Sequence, residues 1–143
     1  MISVVVVVVV LVVSVAVGVT LRHRNGRARA VTGAVTPLAD HLRGRLGSNA
    51  TMVQFSSAFC QPCRATRRIL EEVTVIVPGV SHVEIDAEEN LELVRALDIR
   101  RTPTVLFLDP AGEVRQRASG QPRKVDVIAA LGRVMDASGD VSI

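Results

Sequence analysis

The sequence predicts an α/β fold, a central mixed sheet flanked by helices and preceded by one N-terminal transmembrane helix. Three observations carry this. Segments with an apolar period near 3.6 residues alternate with short segments that are apolar throughout or at every second residue, as when strands are joined through helices. The last two strand-like segments, 104–108 and 114–118, are separated only by a turn containing Asp109-Pro110-Ala111-Gly112, too short for a crossover, so they pair antiparallel. Residues 2–21 carry no charged side chain.

That apolar run is interrupted only by Ser3, Ser14, Gly18 and Thr20. About twenty helical residues rise roughly 30 Å, the thickness of a bilayer's hydrocarbon core, so residues 1–21 are expected to form a single-pass anchor. A cleaved signal peptide would need a basic segment before the run and a small-residue cleavage site close behind it. Nothing basic precedes it except the amino terminus, and Ala28-Arg29-Ala30 lies far downstream. Arg22, Arg24, Arg27 and Arg29 follow the run, so the positive-inside rule places the remainder in the cytoplasm, although a large domain can be translocated despite flanking charge. Residues 22–35 read as a basic linker, with room for a further strand near 30–35.

The folded domain, 36–143, opens on Thr36-Pro37, a cap and first-turn proline, followed by Leu38, Leu42 and Leu46 at helical spacing and a stop at Gly47. A strand over 51–56 leads to the two cysteines. The next helix is expected over 62–77, with Ile69, Val73 and Ile76 or Val77 as its apolar stripe and Pro78-Gly79 as its end. Residues 81–86 alternate, Val83 and Ile85 on one face, His82 and Glu84 on the other. A short helix over 89–97 precedes the buried strand 104–108 and the strand 114–118. A helix over 125–135, carrying Val127, Ile128, Leu131 and Met135, closes the domain. Strands joined through helices are expected to run parallel with right-handed crossovers, and the final hairpin to add an antiparallel edge.

Cys60 and Cys63 are the only cysteines in 143 residues. A helix starting at or just before Cys60 holds both on its first turn, and Pro62 suits that turn because its missing N–H has no partner there. Unpaired backbone N–H groups and the helix dipole stabilise a thiolate at this place. Cys60 is therefore read as the nucleophile, with Cys63 one turn on, placed to attack a mixed disulfide formed there. Half of a zinc site would need four ligands, and His23, His41 and His82 are scattered with no second Cys-x-x-Cys. A purely structural disulfide across two residues closes almost no loop. The net charge of +3 is concentrated in the four arginines behind the apolar run, and the chain has no Trp or Tyr to stack on bases, so nucleic acid is not an expected partner.

Four features occur in order over residues 36–135: the strand ending in Gln54, Phe55, Ser56, Ser57, Ala58 and Phe59 before Cys60-Gln61-Pro62-Cys63; the segment Val83-Glu84-Ile85-Asp86; Thr102-Pro103-Thr104 before a buried strand; and Gly112-Glu113-Val114 leading to Gly120. With them the chain resembles a membrane-anchored member of the thioredoxin-like superfamily. The resemblance implies a cis peptide before Pro103, facing the cysteines, and an edge at Thr102 on which an extended substrate segment pairs. Phe59, Pro62, Thr102 and Pro103 would contact substrate. Three positions depart from the family pattern. Phe59 stands where thioredoxins usually carry Trp; it can cover the disulfide but offers no indole N–H. Gln54 replaces a buried Asp, and His82 replaces a Lys, which makes these two the proton-relay positions to watch. His82 also reads as a plain strand residue, and Arg64, Arg67 and Arg68 as a solvated helix face.

The resulting expectation is a membrane-tethered thiol–disulfide oxidoreductase, acting as a reductase of protein disulfides, with catalytic Cys60 and Cys63. Its partners would be protein disulfide substrates, an electron-donor reductase and the lipid bilayer through residues 2–21. No metal or organic cofactor is implied. The alternative is a tethered peptide-binding module of the same fold with little turnover.

Overall fold

Residues 2–24, 29–33 and 36–139 are described by the structure, a computed structural model. The elements in order are α1 (Ile2–Arg24), β1 (Arg29–Gly33), α2 (Thr36–His41), β2 (Ala50–Ser56), α3 (Gln61–Ile76), β3 (Val80–Asp86), α4 (Leu91–Ala96), β4 (Thr104–Leu108), β5 (Val114–Ser119) and α5 (Lys124–Gly139). Residues 25–28 and 34–35 of the expected linker and residues 140–143 of the expected domain lie outside the described residues.

The apolar run does fold as α1. Among the described residues no helix is long and apolar enough to cross a membrane. This corrects the expectation of a transmembrane anchor at 2–21, of the bilayer as a partner and of a membrane localisation. The cytoplasmic placement, which presupposed an anchored chain, falls with it.

The five strands lie in the order β1-β5-β4-β2-β3. Only β2 and β3 are parallel; β4 runs antiparallel to both β2 and β5, and β1 antiparallel to β5. Two expectations change here. The final hairpin is not the sheet edge, because β1 covers β5. The helix between β3 and β4 does not make a parallel crossover, since β4 runs antiparallel to β2. The chain therefore re-enters the sheet at the end where it left. Thr104 pairs with Phe55, which brings Pro103 to the end of β2, where the cysteine turn begins.

β2 is buried from end to end and feeds both sides of the sheet. Val53 and Phe55 pack with Leu38, Leu42, Leu93 and Leu97 beneath α2 and α4. Ala50 and Met52 pack with Leu70, Val73, Phe107, Val127 and Leu131 beneath α3 and α5. The helical stripes read from sequence are partly rotated. α3 buries Cys63, Thr66, Leu70 and Val73, with Ile69 only partly covered; on α5, Ile128 is 40% exposed. α2 ends at His41 because the chain tightens into three-residue turns, Leu42 N–H to Ala39 O and Arg45 N–H to Leu42 O. Gly44 then takes a φ of 70°, so Leu46 leaves the stripe and is 41% exposed. Pro78-Gly79 ends α3 as expected, Gly79 with a φ of 74° that favours a residue without Cβ.

Candidate active site

β2 stops at Ser56, and the chain turns through 57–60 into α3. Cys60 is the N-cap of that helix, with Pro62 in its first turn, and its Sγ accepts a hydrogen bond from the Cys63 N–H at 3.2 Å. The two sulfurs are joined, with an S–S distance of 2.06 Å. The pair is asymmetric. Cys60 is half-buried, whereas Cys63 faces the core and is 2% exposed. An attacking thiolate must meet a partner's disulfide and a resolving thiol need not.

The Thr102–Pro103 peptide is cis. Ser57 Oγ and Thr102 Oγ1 lie 3.0 Å apart, which ties the loop before Cys60 to the loop before β4. Pro103 O accepts from the Gly120 N–H at 2.8 Å. Pro62, Thr102, Pro103 and Gly120, together with Val19 of α1, are among the residues that line a groove of about 710 Å³. Phe59 is 100% exposed and does not cover the disulfide.

Gln54 lies within the site, fully buried. Its Nε2 donates to the Cys63 carbonyl at 2.9 Å and to Ser56 Oγ at 3.0 Å. Its Oε1 has no partner among the described residues. Ser56 Oγ in turn donates to Glu84 Oε1 at 2.6 Å. Glu84 is gripped by Arg67, with Nε 2.7 Å from Oε2 and Nη2 2.7 Å from Oε1. Burial pushes the Glu84 carboxyl up, but the hydrogen bonds from Arg67 and Ser56 and the nearby Arg67 charge outweigh it and hold it below the ordinary carboxylate value. The parallel register sets Gln54 beside Glu84 and Met52 beside His82. His82 is therefore one side-chain repeat farther from the cysteines than Glu84.

Sequence reasoning missed Ser56, Glu84 and the inward role of Arg67. Glu84 was visible as a polar residue on the same face as His82. Which of the two stands beside Gln54 depends on a register that no local pattern encodes.

Burial pushes His82 below the usual histidine value, against the charges of Glu84 and Glu71. Its unfolded pKa thus lies above its folded one, and the unfolded chain binds the proton first as pH drops. The associated stability is present above about pH 6.5 and is lost as pH falls toward the folded value. The denaturant midpoint should fall between about pH 7.5 and 5.5, and His82→Gln should flatten that fall. An identical pH dependence in the two proteins would show that His82 contributes nothing to it.

A thioredoxin-like α/β sheet with a cysteine pair at the start of α3 and a cis proline just before the adjoining strand β4 defines the class of the thioredoxin fold. The family model for thioredoxin matches residues 40–132, and the chain belongs to that family. Among curated relatives it is 32% identical to thioredoxin H5 of Oryza sativa subsp. japonica over 69 residues, 48% of this chain and 51% of the relative. It is 31% identical to thioredoxin H4-1 of the same plant over 81 residues, 56% and 62% of the two chains. The chain thus spans only about half to three-fifths of the length of these relatives. Among solved structures, Fasciola hepatica thioredoxin superposes with a TM-score of 0.57 at 24% identity, over 68% of this chain and 90% of that one. A Malassezia sympodialis thioredoxin gives 0.56 at 18%, over 75% and 93%. At these identities the two structures speak for the fold.

Proposed function

We propose that the chain is a thiol–disulfide oxidoreductase that uses the Cys60–Cys63 dithiol to reduce protein disulfides. The observation that carries this reading is the asymmetric pair itself, one sulfur accessible at a helix N-terminus and the other buried behind it. In the reduced protein, the Cys60 thiolate attacks a client disulfide. A mixed disulfide forms and one client sulfur leaves with the electron pair. Cys63 then attacks Cys60 Sγ, closes the Cys60–Cys63 bond and releases the second client sulfur, so that the client gains two electrons and the protein loses two. The groove beside Pro103 gives an extended client segment a place to lie against Thr102. Return to the dithiol calls for an electron-donor reductase as second partner. Phe59, fully exposed next to Cys60, is assigned to client contact rather than to shielding the disulfide.

Incubated with insulin and a dithiol donor, the protein should accelerate precipitation of the insulin chains well beyond the donor alone. A protein that binds insulin but leaves the donor rate unchanged would instead be a peptide-binding module of thioredoxin fold.

A further inference from the structure

Resolution of a mixed disulfide needs an acceptor for the Cys63 proton, because the thiolate and not the thiol is the nucleophile. Gln54 stands nearest in the hydrogen-bond network and cannot serve. Its amide commits Nε2 to the Cys63 carbonyl and to Ser56 Oγ, and a carboxamide does not titrate. The network continues past it with one polarity. Ser56 accepts from Gln54 and donates to Glu84 at 2.6 Å, which leaves the hydroxyl oxygen one more lone pair for a donor. Ser56, Cys60, Cys63 and Glu84 line a single cavity of about 500 Å³, polar and roomy enough for water.

We propose that Glu84, acting through Ser56 and water in this cavity, takes up the proton of Cys63 when that thiol resolves a mixed disulfide on Cys60. The inference rests on the reading of the chain as a thiol–disulfide oxidoreductase. Glu84 touches neither sulfur, so it is a positioning residue for the proton. As the Cys63 S–H bond breaks, its proton passes by way of water to Ser56 Oγ while the Ser56 hydroxyl proton moves to Glu84. The Cys63 sulfur forms its bond to Cys60 Sγ, the bond from Cys60 to the client breaks, and the client sulfur leaves as thiolate. Glu84 then returns the proton to that thiolate or to solvent.

The charged and titratable groups around Glu84 are Arg64, Arg67 and Glu71 on α3 and His82 and Asp86 on β3. Arg67 keeps the carboxylate ionised and oriented. An ionised carboxylate of low pKa is a modest base, yet a much stronger acceptor than the water that would otherwise take the proton.

The test uses the full chain, reduced, mixed rapidly with an excess of an aromatic disulfide whose released thiolate absorbs visible light. A first burst reports attack by Cys60 and a second reports resolution by Cys63. Glu84→Gln and Ser56→Ala should each slow the second burst about tenfold or more while the first stays within about twofold. Ser56→Ala keeps the Arg67–Glu84 pair, so its loss cannot be assigned to a broken ion pair. In the unaltered protein the second-burst rate should be flat between about pH 5 and 7, above the Glu84 pKa and below that of the thiol. In Glu84→Gln it should rise about tenfold per pH unit, because it then follows the thiolate fraction alone. A second burst unchanged in both variants, both bursts slowed alike, or one pH slope shared by all three proteins would overturn the proposal and leave the oxidoreductase reading intact. No first burst in the unaltered protein would overturn both.

Discussion

Cys60→Ser reduces insulin turnover to the uncatalysed background, while Cys63→Ser traps client proteins as mixed disulfides through Cys60; this is the largest pair of effects expected. Serine is close in shape to cysteine, and its hydroxyl can accept the backbone N–H that Cys60 Sγ accepts at the start of α3, so both variants should keep their structure. The outcomes diverge because the two sulfurs stand differently. Cys60 still stands at the helix start when Cys63 is lost, and attack proceeds. Nothing then remains to expel it, since the only other thiol in the chain is gone. Loss of Cys60 leaves a thiol that is 2% exposed and unable to reach a folded client. Non-reducing electrophoresis and mass spectrometry of the adducts read the result. If Cys60→Ser accumulated adducts and Cys63→Ser did not, the roles would be exchanged.

The second large effect concerns Gln54. Its amide occupies a fully buried position hydrogen-bonded to the Cys63 carbonyl, and it holds that backbone without offering a base. Gln54→Asp places a carboxylate there. Burial raises the pKa of such a group toward neutrality, which is where an acceptor for a thiol proton works best. Resolution by Cys63 should accelerate by about 10-fold or more. Stability should fall, by roughly 1 to 3 kcal/mol, because the donor to the Cys63 carbonyl and to Ser56 is removed and a polar group is left short of partners. Rapid mixing gives the rate and denaturant unfolding the stability. A variant that folds and resolves at the original rate would show that proton removal does not limit this step. His82→Ala serves as the control. His82 is set beside Met52 rather than Gln54, so resolution and its pH profile should not change.

Much of this could be read without coordinates, for a physical reason in each case. Cys60, Pro62 and Cys63 declare a helix start because their spacing and the missing proline N–H are local properties of the chain. Val83 and Ile85 declare a strand by alternation, and Asp109-Pro110-Ala111-Gly112 a turn. In the structure Asp109 fastens that turn by accepting from the Glu113 N–H and from Arg115. The resemblance also led to Pro103. Local pattern misjudged what depends on where a segment stops. α2 and α4 are shorter than their apolar spacing suggested, Ile128 lies outside the buried stripe of α5, and the apolar N-terminal run does not provide a spanning helix among the described residues.

The sequence by itself determined the family, the sheet-and-helix alternation and the two sulfurs, since each is written in residues that are neighbours along the chain. Only the tertiary structure decided what surrounds those sulfurs. The antiparallel pairing of β4 with β2 brings Pro103 to the end of β2, and the parallel register of β2 with β3 sets Glu84, not His82, beside Gln54. Both outcomes arise from pairings between residues about thirty to fifty positions apart. Such pairings are fixed by how the whole sheet packs against its two helical layers, a property that no stretch of sequence carries alone.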